Sequence, residues 1–552
     1  MLLVVVANVL TWAAFPPLGL FPLAWFAPLA WARLIRLEQL AGRQPYWIVW
    51  GVSALAWAVL LEGVGRAYWA NYFGLVLLGS YLAFYQVLTV ALARVAVHRW
   101  KVSVILAAPV TWTGLELARG HLLTGFSMAL LGHTQAKATS MIQIADLFGA
   151  YGVSFLVVFV GACLARSMPQ SSRRWTAWPV FVAAATLACV FAYGRAKIGD
   201  LDGDEAPRTL KVALIQGTED TIFDSATAQQ RAIDSFNQYW RLTLDVCSRH
   251  DDLDLIVWPE GMFSGNLPQL TVNGIAIPPA GLDISPERFQ ELVAQRLKYF
   301  GEKTQGAASV VNGANDSDAA KRRTYLLVGC DTLELSSEGE KTFNAALLIS
   351  PQGEVSSRYD KMHRVFLGEY VPLGDHLPWL YDFVPIGRGL TPGTQPASFD
   401  VKGINIAPSI CFEITVPHLI RRQISELTQQ AKRPDVLVNL TNDGWFWGTG
   451  ILDLQLNCAV FRAIEMRRPT LIAANTGLTA SIDSNGSIRA TMPRRTEGSV
   501  VADVAIYRRP GHYERWGDWF AGLCLLCCLA VAVSSCRDRW LRPGITSETP
   551  HE

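Results

Sequence analysis

Three side chains that could carry out covalent acyl transfer stand just past short β-rich runs. Glu260 follows "LIVWP", Lys361 sits in "RYDKMHRVFLGEYVPLG", and Cys411 closes "INIAPSI". A thiol with its ordinary pKa near 8.5 is mostly protonated at neutral pH. A carboxylate can take its proton during attack, and an ammonium with a backbone N–H can hold the oxyanion that forms. Each residue also has a plain structural reading: Cys411 as a core residue, Glu260 as a helix cap, Lys361 as a solvated turn lysine. Taken together, at probable strand ends where layered α/β proteins assemble ligand sites, they favour chemistry. The stretch "APSICFEITVP" raises a further question, because it sets Glu413 two residues beyond the thiol.

The elements that must position these groups lie in residues 195–514, whose composition is that of a globular domain. Strands are expected at 209–217, 252–260, 324–333, 342–353, 403–411, 434–442, 470–477 and 498–507. Runs such as "LIVW" and "VLVNL" are apolar on consecutive positions, as in strands covered on both faces. Helical spacing lies between them, in "ATAQQRAIDSFNQYWRLTLDVCSRH" and "DLQLNCAVFRAIEMRR". The pattern predicts an α/β layered domain. Residues 303–323, rich in Gly, Ala, Ser, Asn and Asp, read as a surface insertion, and Asp483–Gly486 as a hairpin turn. The domain holds Cys247, Cys330, Cys411 and Cys458, without CxxC or His-rich spacing, so no metal and no other cofactor is expected. One disulfide among Cys247, Cys330 and Cys458 is permitted, and spacing does not choose a pair.

The rest of the 552 residues is far more apolar: 51% of the whole chain is hydrophobic and only 17% charged. A membrane-crossing helix needs about 20 mainly apolar residues. Spans are read near 2–16, 20–36, 47–65, 69–93, 102–118, 150–166, 176–194 and 515–535. A soluble protein of buried helices would not hold so many long runs without a polar face. Lys and Arg collect in alternate short loops (Arg33, Arg36 and Arg43; Arg94, Arg99 and Lys101; Arg166, Arg173 and Arg174) and in the tail with Arg537, Arg539 and Arg542. Positive loops stay in the cytoplasm, so both termini are expected inside and the block 195–514 outside. The organisation expected is a bundle of about seven helices over 1–194, an exported catalytic domain over 195–514, a last span over 515–536 and a cytoplasmic tail over 537–552. A net charge of +1, with no basic tract among aromatics, gives no sign of a nucleic-acid partner. Glu116 and Arg119 lie one turn apart at the exit of the fifth span; an interfacial ion pair is the favoured reading, over contact with a lipid headgroup.

"VWPEG", "YDKMHRVFLGEYVPLG", "SICFE" and "NDGWF" resemble the Glu–Lys–Cys signature of the carbon–nitrogen hydrolase (nitrilase) superfamily. "TWTGLELARGHLLTGFSMALLGHTQ" and "AANTGLTASID" narrow the resemblance, over almost the whole chain, to its membrane-embedded apolipoprotein N-acyltransferase family. That resemblance implies an αββα sandwich beside about eight membrane spans. It also implies Cys411 as nucleophile, Glu260 as general base and acid, and Lys361 as electrostatic stabiliser. Glu369 matches the second glutamate near the lysine, Glu413 the acidic residue after the nucleophile, Asn344 the Asn of the preceding strand pair, and Trp445 the Trp of the "NDxWF" loop. Phe412 stands where the family commonly has Tyr. The usual "QH" before the late helix reads Leu454–Gln455, "WFG" has become "WFWG", and the Trp common after the first strand is missing. These departures bear on lid and substrate contacts.

The activity implied is transfer of an acyl chain from a membrane phospholipid, through a cysteine thioester, to the α-amine of a diacylglyceryl-cysteine apolipoprotein. The protein would act as a monomer in a bacterial inner membrane, with its catalytic domain in the periplasm. Two rivals use the same residues differently: a membrane-tethered amidase acting on a small soluble amide, and a non-catalytic lipoprotein-binding scaffold. Intact Glu260, Lys361 and Cys411 speak against the scaffold.

Overall fold

A computed structural model describes residues 1–66, 68–169, 175–199, 208–221, 227–274, 278, 284–313, 323–337, 339–374, 376–383, 389–507, 509 and 511–541. The chain forms two compact units. One comprises Met1–Leu60, Val76–Arg195 and Trp516–Glu552; the other comprises Leu61–Leu75 and Ala196–Arg515.

The second unit is built on two sheets. One holds β1 (Arg208–Gln216), β2 (Leu255–Val257), β3 (Gln269–Asn273), β4 (Tyr325–Ser336), β5 (Gly339–Ile349), β6 (Val355–Asp360) and β13 (Gly498–Ile506). They run in the order β13-β1-β2-β4-β5-β6, with β3 beside β4. The other runs β12-β11-β10-β9-β8-β7, from β7 (Phe399–Val401), β8 (Ile404–Ile410), β9 (Val436–Asn442), β10 (Thr470–Asn475), β11 (Ala480–Ile482) and β12 (Ile488–Thr491). Leu210, Val212 and Leu214 of β1 meet Ile406, Val438 and Leu471 in the core between the sheets. Their neighbours Ala213 and Ile215 point the other way, onto Tyr239 and Val246 of the Ala228–Arg249 helix and, with Ile256, toward Phe300 of the Pro286–Val311 helix. Both faces of β1 are therefore dry, which is why its sequence carries no polar alternation. This is the expected αββα sandwich.

Two details depart from the sequence reading. β3, β6 and β7 were not anticipated. Residues 303–311 are the end of the Pro286–Val311 helix, not an insertion; Thr304, Ala307, Ala308 and Val311 form its buried stripe, while 314–322 lie outside the described residues. Among the described residues no disulfide is formed, so the bridge permitted among Cys247, Cys330 and Cys458 is not made. The Asp483–Gly486 turn is present, with Gly486 at φ +79° and its N–H bonded to Asp483 O at 2.9 Å.

The first unit is helical. Asn71–His98, Ala145–Ser167, Trp178–Gly199 and Trp519–Arg537 are long and apolar enough to cross a membrane. Leu2–Ala14 and Pro45–Leu60 are apolar but shorter. The stretch 20–36 is broken: a 3₁₀ turn at Phe21–Trp25, with Pro22 in it, precedes a ten-residue helix Ala27–Arg36. Ten residues rise about 15 Å, half the hydrocarbon thickness. The Val104–His121 helix carries Pro109, Glu116 and Arg119. Glu116 and Arg119 do not form the expected ion pair. Glu116 Oε1 instead accepts from Trp112 Nε1 at 3.0 Å and from Leu131 N at 2.9 Å.

Candidate active site

Glu260, Lys361 and Cys411 each follow the C-terminal end of a strand, β2, β6 and β8 respectively. Gly329 of β4 sets the first of these. The Pro259–Gly261 backbone crosses so close above it that any Cβ would strike Pro259 O and Glu260 Cα, and Phe263 N–H bonds Gly329 O at 2.9 Å. The loop is clamped from its far side by Lys303, whose ammonium donates to Phe263 O at 2.6 Å and Ser264 O at 3.0 Å. That ammonium also lies over the Phe236 and Phe263 rings, at 4.5 and 4.6 Å. Burial pushes Lys303 down to about 8. Lys303→Met orphans these carbonyls; stability should fall by about 1–3 kcal/mol, and turnover should fall with it as the Glu260 loop loosens. Chemical denaturation beside a turnover assay checks both.

Lys361 is almost wholly buried and held at both ends. Its N–H donates to Asn344 O at 2.9 Å. Its ammonium donates to Glu260 Oε1 at 3.1 Å and Glu369 Oε1 at 2.5 Å. Glu369 Oε2 in turn accepts from Val365 N at 2.8 Å. Burial alone would push Lys361 down, but Glu260, Glu369 and Cys411 outweigh it and hold the ammonium well above its ordinary range. Glu260 has both oxygens committed: Oε1 also accepts from Asn344 Nδ2 at 2.5 Å, and Oε2 accepts from Asn442 N at 2.8 Å.

Cys411 begins a 3₁₀ turn, Cys411–Thr415, with φ +53°, a left-handed backbone that a β-substituted residue adopts only when its surroundings enforce it. The enforcing group is Glu413. Fully buried, it accepts from Ile410 N (2.7 Å), Met362 N (2.8 Å), His363 N (2.9 Å) and Tyr359 OH (2.8 Å). It thereby ties the Cys411 turn to the residues that follow Lys361. That answers why a glutamate stands two residues past the thiol. Burial raises the Cys411 thiol, Glu260 raises it further, and Lys361 opposes both, so at neutral pH the thiol rests protonated. Asn439 Nδ2 and Gln455 Nε2 donate to Cys411 O, at 3.2 and 3.4 Å.

Of the residues read from sequence, Asn344, Glu260, Lys361 and Glu369 form one hydrogen-bonded chain. Phe412 stacks on His363 with ring centroids 6.0 Å apart. Trp445 is half-buried on the turn Asp443–Phe446, which continues from Asn442. Tyr359, Asn442 and Asp443 were missed. Gln455, read as a departure from a motif, donates to the Cys411 carbonyl. Asp443 is raised to about 7 by burial, against the Thr441 hydrogen bond and helped by Glu260. Its folded pKa lies above its unfolded one, so the unfolded chain holds fewer protons and stability falls as pH rises from about 4 to about 7. Asp443→Asn should flatten that decline, measured as unfolding free energy against pH.

A two-sheet sandwich with a buried carboxylate and ammonium beside a turn-mounted cysteine defines a carbon–nitrogen hydrolase fold. Residues 211–508 match the carbon–nitrogen hydrolase family and residues 7–163 the apolipoprotein N-acyltransferase N-terminal domain. The chain is 32% identical to an apolipoprotein N-acyltransferase of Geobacter metallireducens, over 98% of this chain and 95% of that one. It is 30% identical to that of Rhodopirellula baltica over 95% of each chain, and 28% identical to that of Haemophilus ducreyi over 94% of each. The chain belongs to the apolipoprotein N-acyltransferase family.

Proposed function

We infer that this protein is an acyltransferase that completes lipoprotein maturation. The observation that carries this reading is the union, in one chain, of the family's membrane domain with a hydrolase-type site that keeps thiol, carboxylate and ammonium together. Family membership also sets the amidase alternative aside.

In the reaction proposed, the Cys411 thiol attacks the ester carbonyl of a membrane phospholipid while Glu260 takes its proton. The carbonyl oxygen becomes an oxyanion beside Lys361, whose charge is secured by Glu260 and Glu369. Collapse breaks the C–O bond; Glu260 returns the proton to the leaving alcohol, releasing a lysophospholipid and leaving a thioester. The α-amine of a diacylglyceryl-cysteine apolipoprotein then attacks. Its pKa of about 7.7–8 leaves a useful neutral fraction. Glu260 takes the amine proton and returns it to the departing thiolate, restoring the thiol and forming the amide. The raised thiol suits this scheme: a resting thiolate would be consumed by stray electrophiles, whereas a thiol deprotonated only during attack is spent on a bound ester.

The orientation proposed places both termini in the cytoplasm of a bacterial inner membrane and residues 195–514 in the periplasm. The alternation of Lys and Arg among the short loops supports it. A cysteine placed at exposed Glu340 should react with a membrane-impermeant maleimide in right-side-out vesicles. Labelling confined to inverted vesicles would overturn the orientation.

A further inference from the structure

The membrane unit holds a largely apolar cavity, with a few buried polar groups in its wall, that the acyl-transfer scheme does not use. It lies among the Leu2–Ala14, Pro45–Leu60, Asn71–His98 and Val104–His121 helices and is lined by Trp12, Trp57, Trp112, Gln86, Glu116 and Arg119. Its volume is about 50 Å³, several times the roughly 10–15 Å³ that one water needs.

Arg119 is 3% exposed. Its guanidinium lies over the Trp57 ring at 5.1 Å. Nη2 reaches Met128 O and Ala129 O only at 3.5 and 3.4 Å, and Nε has no partner. Glu116, 6% exposed, keeps Oε2 without a partner, and so does Gln86 at Oε1. A buried arginine in a membrane bundle is costly unless a charge or a strong acceptor answers it, and such residues mark ligand sites by default. Here the helix's own glutamate, one turn away, spends one oxygen on Trp112 and Leu131 and does not pair with the arginine. A guanidinium answered only by two long carbonyl contacts and a carboxylate with one oxygen unpaired thus border one void. The ligand that complements both is an anion that also carries a donor. The outer faces of the surrounding helices expose Leu55, Val59, Leu77 and Phe84, as for segments bathed in lipid.

We propose that this cavity binds the headgroup of a membrane phospholipid. The phosphodiester accepts from Arg119, and a headgroup hydroxyl or ammonium donates to Glu116 Oε2 and Gln86 Oε1. Guanidinium and phosphate match as planar fork and bidentate acceptor. The site is non-covalent and belongs to the membrane unit, whatever the fate of the lipid at Cys411.

The test uses full-length Cys411→Ala protein, which cannot turn lipid over, in phosphatidylcholine nanodiscs doped with phosphatidylglycerol bearing a photoreactive headgroup. Peptide mapping should place crosslinks on the Leu2–Ala14 and Asn71–His98 helices. Arg119→Met should lower them at least tenfold, and Arg119→Lys should retain a larger share. Unlabelled phosphatidylglycerol and phosphatidylethanolamine, which carry donors, should compete better than phosphatidylcholine, and Glu116→Gln should erase that difference. Crosslinks in residues 196–515 report separately on a donor site near Cys411. Should Arg119→Met fail to fold, judged by its melting profile, the wild-type arginine background still decides. Absence of crosslinks on these two helices would overturn the proposal and leave a water-filled void. Equal competition by inorganic phosphate would overturn the lipid as ligand.

Discussion

Cys411→Ala should yield a folded protein that transfers no acyl chain. Removing the nucleophile of a catalytic triad costs on the order of a million-fold in turnover, which places the variant below detection. The wild-type protein, given phospholipid alone, should gain the mass of one acyl chain on Cys411. The two half-reactions share no transition state, so the thiol can attack before any amine arrives. Hydroxylamine at neutral pH should remove the added mass, as it does for thioesters, and a diacylglyceryl-cysteine peptide should discharge it as the N-acylated product. Cys411→Ser should not acquire the label by this route. Burial and the Glu260 carboxylate already hold the thiol above its ordinary range, and a hydroxyl in the same place is far harder to deprotonate. Intact-mass measurement with peptide mapping decides the matter. An adduct on Cys330 or Cys458, or undiminished transfer by Cys411→Ala, would sink the mechanism.

Lys361→Arg should also be damaging, although it conserves charge. The ammonium sits 3.1 Å from Glu260 and 2.5 Å from Glu369, 2% exposed. A planar guanidinium has neither the space nor the geometry to answer two carboxylates and an oxyanion at once. The loss expected from one oxyanion contact is about 100- to 1000-fold in kcat. Lys361→Met should cost more and differently. It leaves the Glu260 and Glu369 carboxylates without the buried cation they share, beyond the loss of the oxyanion contact itself. Near-normal turnover by a stably folded Lys361→Arg protein would remove Lys361 from the chemistry.

The strands that carry the site were legible because consecutive apolar residues, as in "LIVW", mark strands covered on both faces. The chemistry was legible because cysteine, glutamate and lysine are scarce at the ends of such strands. The supporting bonds were not. Glu413 meets Tyr359, 54 residues away, and Glu260 meets the backbone N–H of Asn442, 182 residues away; no local pattern encodes a partner at that range. Residues 303–311 are different, since the stripe of Thr304, Ala307, Ala308 and Val311 was there to be read. Their small side chains looked like loop composition, but small residues also suit a helix packed tightly on a sheet. In the membrane unit, hydropathy located apolar stretches, yet Pro22 and the ten-residue Ala27–Arg36 helix show that an apolar stretch is not yet a span. Glu116 and Arg119 had the spacing of a pair, but Trp112 and the Leu131 N–H took the carboxylate first.

Residues Leu61–Leu75 belong to the catalytic unit although they are translated long before the rest of it. Gly63 packs against Thr449 so closely that a Cβ would collide with its hydroxyl, and Thr449 lies just beyond the Asp443–Phe446 turn. The sandwich is therefore not a detachable cassette. A gene fragment that starts at Ala196 would express every strand and every reactive side chain, yet leave bare the face that Gly63 covers, next to the turn bearing Trp445. During synthesis, this fifteen-residue strap must wait, already threaded between two hydrophobic segments, until almost four hundred further residues have emerged to meet it.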